Sequence, residues 1–273
     1  MSLEDLFGLR SRVAVITGGT GVLGSAMARG LAGAGARVGI LGRRFERASA
    51  VAAQIERVGG EAMPLPADVL AREDLVRCEE AVRKQWGGVD ILVNVAGGNL
   101  PQATLANGGS IFDMPLDAWR PVVDLNLLGT LLPIQVFGAA MAKAGRGCIV
   151  NISSMASQRA LTRVPAYSAG KAAVENLTRW LAVDLARKHG PGLRVNAIAP
   201  GFFIGEQNRK LLINDDGTLT ARGKHIVEHT PAGRFGEPDE LVGTLVWLCG
   251  PASGFVNGAV IPVDGGFGAF GGV

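Results

Sequence analysis

Tyr167 is the only tyrosine in this 273-residue chain, and Lys171 follows it by four positions. That spacing puts both side chains on one face of a helix. Ser154 lies thirteen residues before Tyr167, at the end of the apolar run Cys148-Ile149-Val150-Asn151-Ile152. A free phenol titrates near pH 10, and a nearby ammonium favours the phenolate and lowers that value. A serine hydroxyl at the neighbouring strand end can hydrogen-bond a substrate oxygen. The three together suit proton transfer to or from a carbonyl oxygen.

A second group supplies the partner such chemistry needs. The run Val13-Ala14-Val15-Ile16 ends in Thr17-Gly18-Gly19-Thr20-Gly21-Val22-Leu23-Gly24. Glycines let the backbone turn sharply and approach phosphates, and a following helix offers unpaired amides. Gly18, Thr20, Gly21, Val22, Leu23 and Gly24 are therefore candidates to cradle a pyrophosphate. With Ser154, Tyr167 and Lys171, this cradle points to hydride transfer between a nicotinamide and a ketone or alcohol.

The next strand ends Leu41-Gly42-Arg43-Arg44. An acidic residue there would bind the adenosine ribose of NAD. Gly42 stands in that place, and Arg43 follows. A cation at a helix start is disfavoured by the helix dipole, and the 2′-phosphate of NADP would offset it. NADP(H) is accordingly expected over NAD(H). Asp68 and Val69 can frame the adenine, and Asp68 can also cap the next helix. Asn94, Ala96 and Gly97 put small residues against the cofactor. Asn126, in Asp124-Leu125-Asn126-Leu127, is either a structural polar residue or part of a proton relay.

The elements that must position these groups alternate. Strands are expected at 12–17, 37–41, 61–65, 90–93, 147–153, 194–199 and 259–263. Helices are expected at 22–33, 45–58, 72–85, 116–144, 166–189 and 238–248. Such alternation means a parallel sheet covered on both faces. The expectation is one α/β domain over 1–273, a doubly wound Rossmann-type sheet of about seven strands. Two polar segments break the rhythm, 97–113 and 201–237. Both follow strand ends, where ligands bind in such sheets, and the second reads as a substrate lid.

Composition excludes several classes. Hydrophobic residues are 48% and charged residues 19%, which is globular rather than disordered. The net charge of +3 is small and dispersed, so no nucleic-acid partner is expected. The three cysteines are far apart and lack ligand spacing, which fits buried thiols in a reducing compartment. His225 and His229 share a helical face but lack a third ligand, so no metal is expected. The acidic start, Met1 to Asp5, has no apolar signal region, and a cytoplasmic location is the expectation. The most apolar stretch, 127–142, contains Pro133 and Gln135 and is too short to span a bilayer, so it reads as a buried or interface helix.

These motifs resemble the short-chain dehydrogenase/reductase family along nearly the whole chain. The resemblance rests on the glycine turn, Asn94-x-Ala96-Gly97, Asn126, Ser154, Tyr167-x-x-x-Lys171 and Pro200-Gly201. It implies Tyr167 as general acid/base and Lys171 as holder of the nicotinamide ribose. It also implies Ser154 as carbonyl-orienting group and Asn126 as anchor of a relay water. Tyr167, Lys171, Pro200, Gly201 and Phe203 join the cofactor residues on the same ground, and a homotetramer is implied, with a dimer as the smaller alternative. Two positions depart from the family pattern. Gly21 precedes the usual glycine position, now Val22, and Gly205 stands where a threonine often contacts the carboxamide.

The substrate reading comes from the polar segments. Gly98, Asn99, Gln207, Asn208 and Arg209, with Ser154, are the candidate substrate residues. Hydroxyls and a carboxylate want such groups, whereas a steroid or acyl chain wants an apolar lining. The segments 201–212 and 229–236 resemble a bacterial subgroup labelled fructuronate reductase or mannonate oxidoreductase, which implies a keto sugar acid. A gluconate 5-dehydrogenase or 3-oxoacyl reductase would share the same catalytic residues. A non-catalytic dinucleotide sensor is the alternative of another class.

Overall fold

The computed structural model describes residues 2–106, 108–206 and 208–272. Seven parallel strands form one sheet in the order β3-β2-β1-β4-β5-β6-β7. They are β1 (Val13–Thr17), β2 (Arg37–Gly42), β3 (Glu61–Pro66), β4 (Ile91–Asn94), β5 (Arg146–Ile152), β6 (Gly192–Pro200) and β7 (Val260–Val263). The order reverses between β1 and β4, and such a switch point leaves a crevice at the carboxyl ends of the strands.

The period of two along each strand divides the core. Ala14, Ile16, Val38, Ile40, Val93 and Val150 face one side. There they meet α2 (Val22–Gly33), α3 (Phe45–Glu56) and α10 (Val242–Cys249) through Met27, Leu31, Ile55 and Leu245. Val13, Val15, Leu92, Ile149 and Val195 face the other side. There they meet α4 (Arg72–Trp86), α6 (Gly129–Ala144) and α7 (Pro165–His189) through Leu75, Phe137 and Leu181. Short helices complete the chain: α1 (Leu3–Phe7), α5 (Leu116–Val123), α8 (Arg209–Leu212) and α9 (Ala221–Glu228).

The expected helix over 116–144 is one continuous helical unit with a defect. Between α5 and α6, residues Asp124–Leu128 form a π turn. Such a turn adds one residue and often marks a functional position. Asn126 sits in it. The unit is longer than the apolar stretch read from the sequence: it has 29 residues and contains an 18-residue stretch of mean hydropathy 1.5, enough to cross a bilayer by length and composition. Half of that stretch is buried within the fold, where the unit packs on the sheet, α4 and α7 as a core helix.

Candidate active site

The glycine turn is built around close backbone approaches. Gly18 takes φ +63°, and a Cβ there would stand 2.8 Å from the Ala96 nitrogen. A Cβ at Gly24 would collide with the Gly18 carbonyl oxygen. Thr17 ties β1 to β4, its Oγ1 accepting from the Val95 and Ala96 amides at 3.1 and 3.2 Å. The α2 N-cap is Gly21, which has no side chain to cap the helix. The first-turn amides of Val22, Leu23 and Gly24 consequently have no intrahelical acceptor. A dinucleotide pyrophosphate fits this cradle, even with glycine at 21 rather than 22.

At the adenosine side, Gly42 ends β2 beneath Thr20. A Cβ at position 42 would lie 2.8 Å from Thr20 Cγ2. Arg43 is exposed beside it, and Arg44 is the N-cap of α3. Asp68 does not cap α4, as its position suggested; Ala71 is the N-cap. Asp68 instead closes its own turn, accepting from the Leu70 amide at 2.9 Å, while its backbone N–H donates to Asp74 at 3.0 Å. Val69 is buried against Gly129.

Four polar residues converge past the ends of β4 and β5. Pro165 opens α7 at a position where its missing N–H costs nothing, so Tyr167 and Lys171 lie in the first two turns. Lys171 is buried, and its Nζ donates to the Ile152 carbonyl at 2.7 Å. Its Nζ stands 5.7 Å from the centroid of the Tyr167 ring. A Cβ at Gly97 would lie 2.7 Å from Asn126 Oδ1 and 2.9 Å from Lys171 Nζ. Only glycine leaves these two groups in place. Asn126 is fully buried; it accepts from the Gly98 amide at 3.2 Å and donates to the Gly98 and Val122 carbonyls, each at 2.7 Å.

Burial pushes the Tyr167 phenol up, and the Ser154 hydroxyl pulls it partly back. Burial also lowers the Lys171 ammonium to about 8. The expected lowering of the phenol by Lys171 does not dominate, because the ammonium is spent on the Ile152 carbonyl rather than on the phenol oxygen.

A buried carboxylate holds the Ser154 turn. Glu175, on α7, accepts from Ser153 Oγ at 2.9 Å, from Gln158 at 3.1 Å and from Ser157 Oγ. Ser157 Oγ also reaches the Ser154 carbonyl at 2.5 Å. A second buried chain runs from Asn94 to Asn151 at 2.9 Å and from Asn151 to Thr178 at 2.9 Å. It ties β4, β5 and α7 together. Sequence reading missed both networks, although Asn151 inside an apolar strand was a signal that a buried partner existed.

The polar segments fold differently from their sequence reading. Asn208 is occupied within its own turn: it accepts from the Gly205 amide and donates to the Phe203 carbonyl, both at 2.8 Å. Phe203 puts its ring into the core against Gly236, so only its backbone can border a cofactor. Gly201 packs on Asp264 after Pro200 ends β6. Arg209 begins α8 and is exposed. Gln207 lies outside the described residues. Asn99 donates to Thr104 at 2.7 Å, while its Oδ1 is buried without a partner among the described residues. The exposed Glu206 reaches back to Arg47 on α3 at 3.2 Å.

Comparison with known proteins agrees with this architecture. Residues 20–268 match the family model described as enoyl-(acyl carrier protein) reductase. The chain is 49% identical to an uncharacterized oxidoreductase, UxuB, of Bacillus subtilis (strain 168), over 97% of this chain and 98% of that one. It is 42% identical, with TM-score 0.90 and full coverage of both chains, to a provisionally assigned D-mannonate oxidoreductase from Haemophilus influenza with bound NAD. A gluconate 5-dehydrogenase from Burkholderia cenocepacia, in complex with NADP and tartrate, is 33% identical with TM-score 0.88, over 98% of this chain and 100% of that one. With the family match and these full-length likenesses, the chain belongs to the short-chain dehydrogenase/reductase family, as an oxidoreductase acting on CH–OH groups with NAD(P).

Proposed function

We propose that this oxidoreductase interconverts a ketone and a secondary alcohol on a sugar acid of the hexonate type, with NADP(H) preferred over NAD(H). The observation that carries the reading is the convergence of Ser154, Tyr167, Lys171 and Asn126 beside the free amides of α2. The neighbours named for mannonate and gluconate support the substrate class. So does the orphaned Asn99 Oδ1, which suits a substrate hydroxyl.

A bound nicotinamide supplies or takes the hydride at the reacting carbon. The Ser154 hydroxyl donates to the substrate oxygen and orients it. In reduction, the Tyr167 hydroxyl gives its proton to that oxygen; in oxidation, the phenolate takes it back. Lys171, held by Ile152, adds positive charge beside the phenol and would hold the nicotinamide ribose. Asn126, locked to Gly98, keeps the 97–98 backbone against Lys171. Pro200, Gly201 and the Phe203 backbone would border the nicotinamide.

The assembly proposed is a homotetramer of a cytoplasmic enzyme. Leu128 on the π turn, with Trp180 and Val183 on α7, leaves exposed apolar surface on the long helices, which supports the helix pairing.

The test is a panel of hexulosonates, neutral ketoses and 3-oxoacyl thioesters, each with NADPH and NADH, followed by coenzyme absorbance. Hexulosonates are expected to give the highest kcat/KM. A higher kcat/KM for acyl thioesters or for neutral ketoses would overturn the sugar-acid reading.

A further inference from the structure

Two arginines that meet the Ser154–Tyr167 segment lack an anionic partner among the described residues. Arg163 precedes Tyr167 by four residues. Its backbone is left-handed, φ +77°, a conformation shared among non-glycine described residues only with Ser11. Its carbonyl accepts from the Leu105 amide at 2.9 Å, and its Nε donates to the Leu105 carbonyl at 2.7 Å. This reciprocal pair locks the Ser154–Tyr167 connection to the 97–113 loop. It leaves both terminal nitrogens of the guanidinium without a hydrogen-bond partner among the described residues.

Arg222 reaches the same place from the lid. It lies in the first turn of α9, and its Nη1 is 3.3 Å from the hydroxyl of Thr162, the residue before Arg163. Neither arginine makes an ion pair among the described residues, although nine other arginines do.

Apart from these neutral hydrogen bonds, the surroundings disfavour both charges. A cation in a first helical turn opposes the helix dipole. Half-burial withdraws water from Arg222, and the Arg163 charge repels it, so that the guanidinium is lowered from its usual value. A non-glycine residue in the left-handed region is strained. No carboxylate among the described residues compensates them, but a ligand can.

We infer that Arg163 and Arg222, with the Thr162 hydroxyl, grip the carboxylate of the substrate and thereby select acids over neutral ketoses. The inference rests on the sugar-acid reading and gives it a residue basis. A guanidinium presents two parallel donors that match a carboxylate, whereas an ammonium acts as a point charge. The grip closes the insertion over the site, because Arg222 comes from the lid and Arg163 from the fixed α7 entrance. Thr104, next to Leu105, receives the Asn99 amide, so the orphaned Asn99 oxygen lies on the same loop as the clamp. Arg209, the cation favoured by the sequence, is exposed at the start of α8 and shares none of these contacts.

The experiment measures kcat/KM for 5-keto-D-gluconate and for L-sorbose in wild type, Arg222→Met, Arg222→Lys and Arg209→Met. Melting of each protein is followed without substrate. In Arg222→Met the keto acid is expected to lose about tenfold or more, mainly through KM, as for a lost charge-assisted bond, and the ketose to change little. Arg222→Lys falls between. Melting of Arg222→Met should equal or exceed wild type, because an uncompensated charge has been removed. If wild type favours the acid but Arg222→Met keeps that preference, or lowers both substrates by the same factor, or if Arg209→Met alone removes the selectivity, the clamp is wrong and the sugar-acid reading stands. If wild type shows no preference for the acid, both fall. A lower melting temperature for Arg222→Met would assign Arg222 a structural role and overturn the clamp.

Discussion

Lys171 Nζ is bonded to the carbonyl of Ile152 at 2.7 Å and stands over the ring of Tyr167, 5.7 Å from its centroid. The ammonium is thus oriented by the strand, not by the phenol it is expected to activate. Burial raises Tyr167 and lowers Lys171 to about 8. In the protein alone, the pair is tuned toward its neutral forms.

Tyr167 is the only tyrosine, so near-ultraviolet absorbance titrates the proposed acid/base group directly. Without coenzyme, the phenolate band is expected to emerge above the ordinary value of about 10. Saturating NADP+ brings a nicotinium charge, and the band should emerge at lower pH. Tyr167→Phe should abolish the signal, keep coenzyme binding and reduce turnover by roughly a thousandfold or more. A phenolate formed near neutral pH without coenzyme would mean that the Lys171 charge outweighs burial.

The same burial makes stability depend on pH through Lys171. The ordinary value of 10.5 falls to about 8 in the folded protein. Below both values the lysine is charged folded and unfolded, and the burial penalty is fully present. Between them the unfolded chain binds more protons, so stability rises with pH. Compared with Lys171→Met, wild type should gain stability from pH 8 to 10.5, by on the order of 3 kcal/mol at most. Tyr167 ionises in both proteins and largely cancels. Urea unfolding at the two ends of this window tests the claim. A difference that stays constant across it would show that the lysine remains charged in the fold.

Much of this site was legible because its residues lie close in sequence to strand ends. The 3.6-residue period found α2 at Val22–Gly33, and short β-branched apolar runs found every strand to within about two residues. The π turn at Asp124–Leu128 was invisible, because an apolar stripe does not register one added residue. The helices α8 and α9 were also missed; their segment is polar and lacks a long apolar face. Asn208 looked like a substrate donor until its amide was seen closing the turn at Gly205. The Arg163–Leu105 lock joins two irregular segments 58 residues apart. No spacing rule connects such segments, and only tertiary structure brings Arg222 to Thr162.

The proposed coenzyme choice rests on the end of β2. Gly42 is in contact with Thr20: an added Cβ would press on Thr20 Cγ2 at 2.8 Å and Oγ1 at 3.0 Å. The ribose-binding acid that would favour NAD therefore cannot enter at position 42 without displacing Thr20. Arg43 stands next to this spot, exposed and without an ion pair among the described residues. A 2′-phosphate there would gain a charge-assisted bond of about 1.5–3 kcal/mol. Arg43→Ala should weaken NADPH binding by roughly tenfold or more and leave NADH nearly unchanged. Fluorescence titration of both coenzymes separates the cases. Equal losses would assign Arg43 to the fold of the α3 entrance. Tighter binding of NADH than of NADPH by wild type would overturn the NADP preference itself. Gly42→Asp should not rescue NADH binding unless Thr20 is also reduced to glycine, because the carboxylate needs the volume that the threonine methyl fills.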